Sequence, residues 1–291
     1  MVRVRVPATS ANLGPGFDAM GLALAWYDEV SVELISSGVV VDVTGEGASD
    51  VPRDASHLVV SSMAAGFAAW GRPMPGIHLR AHNSIPHSRG LGSSAAAIVA
   101  GLTLAWAVAH PGVPLDRAEI LRLATIAEGH PDNAAAAVHG GVVLAWSDAG
   151  RADCVILDAH ADLEVVAFVP DHEVPTRGAR AILPTDVPRL EAVAQATSAA
   201  LLVEALTRHP EHLLIATRDW LHQPYRAHLM VDSARLMASL REAGVPAVIS
   251  GAGPAVLAIG TPDQLDITAD TSGFTVIRST LGDGVEVLDA D

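Results

Sequence analysis

Residues 86–100, Pro-His-Ser-Arg-Gly-Leu-Gly-Ser-Ser-Ala-Ala-Ala-Ile-Val-Ala, hold the residue types and spacing best suited to chemistry in this 291-residue chain. A strand reads over 77–85, a glycine turn follows at Gly90 and Gly92, and a serine-capped helix begins near Ser93. Glycine lets the backbone approach an anion closely, the free N–H groups of a first helical turn point outward, and the helix dipole adds about half a positive charge there. Such a turn can cradle a phosphate. An ordinary loop with a serine N-cap has the same composition, and the turn alone does not separate the two.

Two familiar phosphate loops are tested by the neighbouring residues. The chain contains no lysine, so all 18 of its basic residues are arginine. That excludes a Walker A loop, which needs a lysine after its last glycine, and a protein kinase, which needs a strand lysine on the phosphates. Residues 90–95 match the glycine fingerprint of dinucleotide folds, with Ala95 in the third place. The context is wrong for it: Pro86, His87, Ser88 and Arg89 separate the turn from its strand, and a second helical stretch follows where a strand ending in an acid should stand.

The elements that must position this turn read as follows. Val2, Val4 and Val6 alternate with Arg3 and Arg5 as a half-buried strand ending at Pro7, and 8–18 is a loop rich in small polar residues. Strands at 30–35 and 39–43 are joined by Ser36, Ser37 and Gly38, and a helix spans 56–70 with Asp54 or Ser56 as its cap. After the central helix, Asp116 opens another that runs into Glu-Gly-His-Pro-Asp-Asn at 128–133. Glu128 is either solvated at a helix end or a cleft carboxylate, and Asp132 either a plain cap or a paired buried acid. A domain boundary falls near 148–153, dividing the chain into 1–150 and 151–291. The second part holds strands near Val155 and 165–169, a loop at 175–180, helices at 189–206, 212–221 and 230–243, and a second glycine turn at 250–254.

Composition narrows the function. Half the residues are hydrophobic, enough for a sizeable core, and a net charge of −15 argues against nucleic acid or an anionic membrane as partner. Cys154 is the single cysteine, so no intramolecular disulfide forms. Residues 1–6 lack the apolar stretch of a secretory signal, and the cytoplasm is the expected location. The uncharged stretch 95–109 is alanine-rich and short for a membrane span, so a buried helix is expected. The chain has 13 histidines, but His209-Pro210-Glu211-His212 lacks metal-ligand spacing and reads as a solvated helix start.

Three separated stretches, 7–18, 86–96 and 250–259, together resemble the GHMP small-molecule kinases over nearly the whole chain. Pro-Ala-Thr-Ser-Ala-Asn-Leu-Gly-Pro-Gly-Phe-Asp at 7–18 and Glu-Gly-His-Pro-Asp-Asn at 128–133 are most similar to the branch that acts on L-homoserine. The resemblance implies a two-domain α+β fold: an N-terminal unit like domain 2 of ribosomal protein S5 and a C-terminal ferredoxin-like unit closing the substrate cleft. It implies ATP at Pro86, His87, Ser88, Arg89, Gly90, Leu91, Gly92, Ser93, Ser94, Ala95 and Ala96, with Gly251 and Gly253 of the third motif beside them. Ser94 and Glu128 would hold Mg2+, and these two with Asn133 are the expected catalytic residues. Where relatives commonly place a serine, this chain has Ala255.

For the acceptor, the resemblance assigns Asn12, Asp18, His130, Asp132 and Asn133 to its ammonium and hydroxyl, and Arg180 and Arg226 to its carboxylate, with Arg177 an alternative to Arg180. A planar guanidinium can bind both carboxylate oxygens. Related kinases place an aspartate and a lysine near the reacting hydroxyl; here Asn133 stands at that position and cannot take a proton. Proton loss to phosphate or solvent is therefore expected, with Asp18 as the fallback base. A sister kinase for another small alcohol, a nucleotide-binding regulator without turnover, a dinucleotide oxidoreductase, and a homodimeric assembly remain open on these residues.

Overall fold

The computed structural model describes residues 1–173 and 176–288, the side chains of Thr176 and Arg177 excepted. Its first sheet has seven strands: β1 (Val2–Ala11), β2 (Met20–Ile35), β3 (Val39–Gly45), β4 (Gly76–Asn83), β5 (Val142–Asp148), β6 (Arg151–Leu157) and β11 (Glu286–Leu288). The order β11-β1-β2-β4-β3 forms the main path. β2 is long enough, at 16 residues, to carry β4 beside its second half and β5 beside residues 20–22, and β6 extends the sheet from β5.

Four helices accompany this sheet: α1 (Leu58–Ala69), α2 (Ser93–Ala109), α3 (Arg117–Glu128) and α4 (Asp132–His139). α2 is buried on most sides, with Ile98, Val99, Leu102 and Leu104 inside, as its uncharged sequence predicts. Each such aliphatic side chain contributes about 1.5–3 kcal/mol on full burial.

The second sheet runs β10-β7-β9-β8, from β7 (Glu164–Pro170), β8 (Ala247–Ile249), β9 (Val256–Gly260) and β10 (Phe274–Thr280). Its helices are α5 (Thr176–Ala181), α6 (Arg189–Thr207), α7 (Leu213–Ala216), α8 (Gln223–Arg226) and α9 (Val231–Glu242). Strand alternation decides which core each side chain joins. Val165, Ala167, Leu257 and Ile259 enter the large core shared with the first sheet, whereas Val166, Phe168, Val256 and Ala258 meet Leu236 and Leu240 of α9 on the other face. Among the described residues α6 alone is long and apolar enough to cross a membrane. Its Gln195 is instead tied into the fold, donating to the Pro15 carbonyl at 2.9 Å and accepting from the Trp220 amide at 2.8 Å.

Several local expectations change. β1 does not stop at Pro7: the register shifts between Pro7 and Ala8, and pairing resumes to Ala11, because a bulge tolerates a residue without an N–H. Thr9 and Ser10 are thus buried strand residues and not loop. β2 and β3 are not a hairpin pair; β4 lies between them and runs parallel to β3. α1 is preceded by His57, and Asp54 instead accepts the Ser56 amide and hydroxyl in a turn. The stretch at 176–181 is a short helix, the helix expected over 212–221 is broken after Ala216, and residues 223–226 form a turn of helix of their own. Sheet membership also departs from a division at residue 150, since β6 and β11 both hydrogen-bond into the first sheet.

Candidate active site

The turn at 84–92 is held from behind. The Ser84 and Ile85 amides donate to Asp28 Oδ1 at 2.6 and 2.9 Å, fixing the exit from β4. Three successive carbonyls then point into the protein: Arg89 O accepts from Ala255 N at 3.0 Å, Gly90 O from Ser250 Oγ at 2.6 Å, and Leu91 O from Thr9 N at 3.0 Å. With its acceptors consumed, the turn offers the cleft mainly donors. Helix geometry leaves the amides of Ser93, Ser94 and Ala95 without an intrahelical acceptor, and α2 aims its dipole the same way.

The cap of α2 differs from expectation. Gly92 occupies it in a left-handed conformation, φ 68°, and no side chain caps the helix, so Ser93 is a first-turn residue. A Cβ at Gly92 would lie 1.8 Å from Thr9 Oγ1, and one at Gly90 would strike the Ser250 carbonyl; β1 and the second glycine turn press directly on the loop. The Arg89 guanidinium is directed elsewhere: Nε donates to Pro170 O at 2.9 Å, Nη2 to Asp171 O at 2.5 Å, and Nη1 pairs with Glu173 at 3.0 Å. It straps the loop to the end of β7.

Beyond the loop lies an acidic wall. Ser94 Oγ donates to Glu128 Oε1 at 2.6 Å, joining the start of α2 to the last residue of α3. Asp132, 1% exposed, is a paired buried acid, with Oδ1 accepting from His130 Nδ1 at 2.7 Å and from the Asn133 amide at 2.8 Å. The bond to Asp132 raises the His130 pKa above the ordinary histidine range against the opposing effect of burial. Asn133 Oδ1 accepts from Thr9 Oγ1 at 2.8 Å, which leaves its amide N–H groups as the donors this cleft-lining residue can offer.

The opposite wall is cationic and comes from the second half of the chain. Arg180 holds Asp18 through two bonds, Nη1 to Oδ2 at 2.9 Å and Nη2 to Oδ1 at 2.5 Å, and this pairing raises the arginine pKa further. Asn12 organises the loop beneath, accepting from the Asp18 amide at 3.0 Å and donating to Gly251 O at 2.8 Å. Arg226 is 2% exposed, and burial together with the like charge of Arg180 depresses its pKa.

One cleft gathers Asn12, Asp18, Ser88 to Ala95, Glu128, His130, Asp132, Asn133, Arg180, Arg226 and Gly251. Pro86 and Gly253 are not among its lining residues, and the Arg177 side chain lies outside the described residues. His87 and Ala96 line a second, more apolar cavity that shares Ser88, Ser93 and Ser94 with the first and continues over Val51, His57, Val59 and Ala100. Sequence reasoning missed Phe17, whose ring lies 5.4 Å below both the Arg180 and Arg226 guanidinium carbons, and Thr9, which orients Asn133. Both sit in the 7–18 stretch, so their neighbourhood was visible but not their contacts.

Comparison with known proteins gives concordant findings. A family profile described as "GHMP kinases N terminal domain" matches residues 57–141. The chain is 56% identical over 289 residues to the homoserine kinase of Cutibacterium acnes, covering 98% of each, and 50% identical to that of Streptomyces coelicolor, covering 97% of this chain and 91% of the relative. In structure it is similar to homoserine kinase from Cytophaga hutchinsonii, with a TM-score of 0.85 at 28% identity over 99% of this chain and 97% of the other. Mevalonate kinase, at 10% identity and a TM-score of 0.67, shares the fold.

Proposed function

The chain belongs to the homoserine kinases of the GHMP family, and from that premise we propose how its cleft works. The enzyme transfers the γ-phosphoryl group of ATP to the side-chain hydroxyl of L-homoserine, giving O-phospho-L-homoserine for threonine biosynthesis. The observation that carries the site assignment is the loop at 89–95, whose carbonyls are consumed inside the protein while its amides face a cleft with an acidic wall and a cationic wall.

The triphosphate would lie along the amides from Gly90 to Ala95, with the reacting phosphate in the polar cleft and the nucleoside in the adjoining apolar cavity. Ser94 and Glu128, already 2.6 Å apart, are the residues that would hold Mg2+. The donor set fits that ion: among the described residues no cluster of three or more His, Cys, Asp or Glu stands ready as a protein cage, and Mg2+ takes few protein oxygens beside phosphates. When bound it supplies charge neutralisation on the transferring group.

The acceptor is a zwitterion with a hydroxyl. Asp18 and Arg180 neutralise each other without it, and an ammonium on Asp18 with a carboxylate on Arg180 would replace one bridge by two. Buried Arg226 would take the second side of the carboxylate, and the Asn133 amide would orient the hydroxyl. The general base is answered in part by pairing. Asp18 is committed to Arg180 or to the ammonium that replaces it, and the bond to Asp132 raises the His130 pKa, so neither is favoured as a base. In a loose transition state the hydroxyl proton departs late, and we assign it to a phosphoryl oxygen or water. Residues of 1–150 would thus hold ATP and, through Asp18 and Asn133, part of the acceptor, while Arg180 and Arg226 of 151–291 close on its carboxylate. We place the enzyme in the cytoplasm, with no nucleic-acid or membrane partner and a homodimer as the assembly to consider.

The test is ADP release from Mg-ATP with homoserine, mevalonate, shikimate or no acceptor. Turnover with homoserine alone is expected. Glu128→Ala should lower kcat by about a hundredfold or more while ATP binding is largely kept, as loss of charge stabilisation in the transition state requires. Equal turnover in that variant would remove Glu128 from the site.

A further inference from the structure

His222 sits behind the cationic wall, 0% exposed, with its ring between Gly14, Asp219, whose Oδ2 is 3.5 Å from Nε2, and Arg226. Nε2 lies 2.8 Å from the Gly14 carbonyl, which can only accept, so Nε2 carries the hydrogen. In the neutral ring Nδ1 is then an acceptor, and it lies 3.3 Å from Arg226 Nη1. Burial pushes the histidine pKa down, ahead of the opposing attraction of Asp219, which favours the neutral ring beside Arg226. Asp219, equally buried, fixes the segment: its Oδ2 accepts the amides of His222 at 3.1 Å and Gln223 at 2.7 Å, and its Oδ1 that of Leu221 at 2.9 Å. The Phe17 ring stacks on His222, centroids 5.1 Å apart, and supports the Arg226 guanidinium. With Nε donating to Ala179 O at 2.8 Å, the guanidinium is held on two sides, and no bond among the described residues engages Nη2.

We propose that His222 is a positioning residue for the acceptor carboxylate: linking Gly14 O to Arg226 Nη1, it sets the guanidinium plane so that Arg226 meets the carboxylate preformed. This rests on the reading of Arg226 as a carboxylate holder. A bidentate fork is useful only in the right plane, and a buried arginine without its second anchor would turn to other acceptors.

The experiment measures initial rates against homoserine concentration at saturating Mg-ATP for the wild type, Arg226→Ala, His222→Leu, His222→Asn and His222→Gln. His222→Leu should raise the homoserine KM about tenfold or more with kcat within about threefold and the ATP KM unchanged, the pattern of lost uniform binding. His222→Asn keeps an acceptor near Nδ1 and should recover much of the loss; His222→Gln, which keeps only the donor to Gly14, should recover less. With the carboxamide of homoserine as acceptor, the gap between wild type and His222→Leu should close. If Arg226→Ala leaves the homoserine KM unchanged, the reading of Arg226 fails and takes the proposal with it. If Arg226→Ala raises KM while His222→Leu does not, or the carboxamide shows the same penalty, the proposal alone is overturned. Should the leucine variant not fold, the order of the asparagine and glutamine variants decides, and glutamine recovering more than asparagine refutes it.

Discussion

Gly92 is where a single methyl group would do most damage. Its φ of 68° costs an L-residue about 1–2 kcal/mol, and the added Cβ would displace the Thr9 hydroxyl that orients Asn133. Gly92→Ala should therefore lower kcat/KM for both substrates by about a hundredfold or more, equivalent to roughly 3 kcal/mol, with a reduced Tm. Gly178→Ala, where the new Cβ meets no atom of the described residues within 4 Å beyond its chain neighbours and its own helix backbone, serves as the control and should leave both measurements near wild type. The need for glycine was readable from the turn pattern at 90–92. The identity of the group pressing on it was not, because Pro7 reads as the end of its strand and leaves Thr9 in a loop.

At the level of elements, the loop between β4 and α2 is tied on three sides, to β1, to the turn between β8 and β9, and through Arg89 to the end of β7. The family resemblance puts Arg89 in the ATP loop; its donors are instead spent on the carbonyls of Pro170 and Asp171 and on Glu173. Arg89→Ala should cost about 2 kcal/mol of stability, since each lost bond contributes about 1 kcal/mol net, and raise the ATP KM only several-fold as the loop loosens. Scanning calorimetry and ATP-dependent rates check this together. An unchanged Tm with a large loss of ATP affinity would instead put the guanidinium on the nucleotide. Helix α3 behaved as its sequence pattern required, with Asp116 capping through the Glu119 amide at 3.0 Å and Gly129 ending it in a left-handed turn. That ending delivers Glu128 to the cleft.

Across the whole molecule, histidines set opposing pH dependences. Burial pushes His57, His139 and His222 below the ordinary value of 6.5, so the unfolded chain binds more protons than the folded one on acidification. Their contribution is complete above 6.5 and is lost as pH falls toward the depressed folded values. His130, raised chiefly by its bond to Asp132, behaves oppositely: its contribution is complete below the ordinary value and is lost as pH rises through the raised folded one. The three depressed histidines pull Tm down between about pH 7.5 and 5.5, and this acid-side fall should be smaller in His57→Leu, which also removes a buried Nδ1 with no partner among the described residues. An equal fall in that variant would refute the assignment of His57.

Local chemistry is what the sequence by itself determined. The glycine turn and the helix after it, the absence of lysine and the acid-bearing stretch at 128–133 are properties of residue type and short spacing, and the stretches 7–18, 86–96 and 250–259 together carried the resemblance to kinases of small alcohols. The tertiary structure decided what depends on residues far apart in the chain. It set Thr9 against Asn133 across 124 positions and Arg180 against Asp18 across 162, and placed His222 behind Arg226 with its ring donating to Gly14 across 208. It also returned β11 to the first strand of the chain. Such pairings carry no local periodicity, because they are fixed only when two sheets share one core and bring their loops to the same cleft.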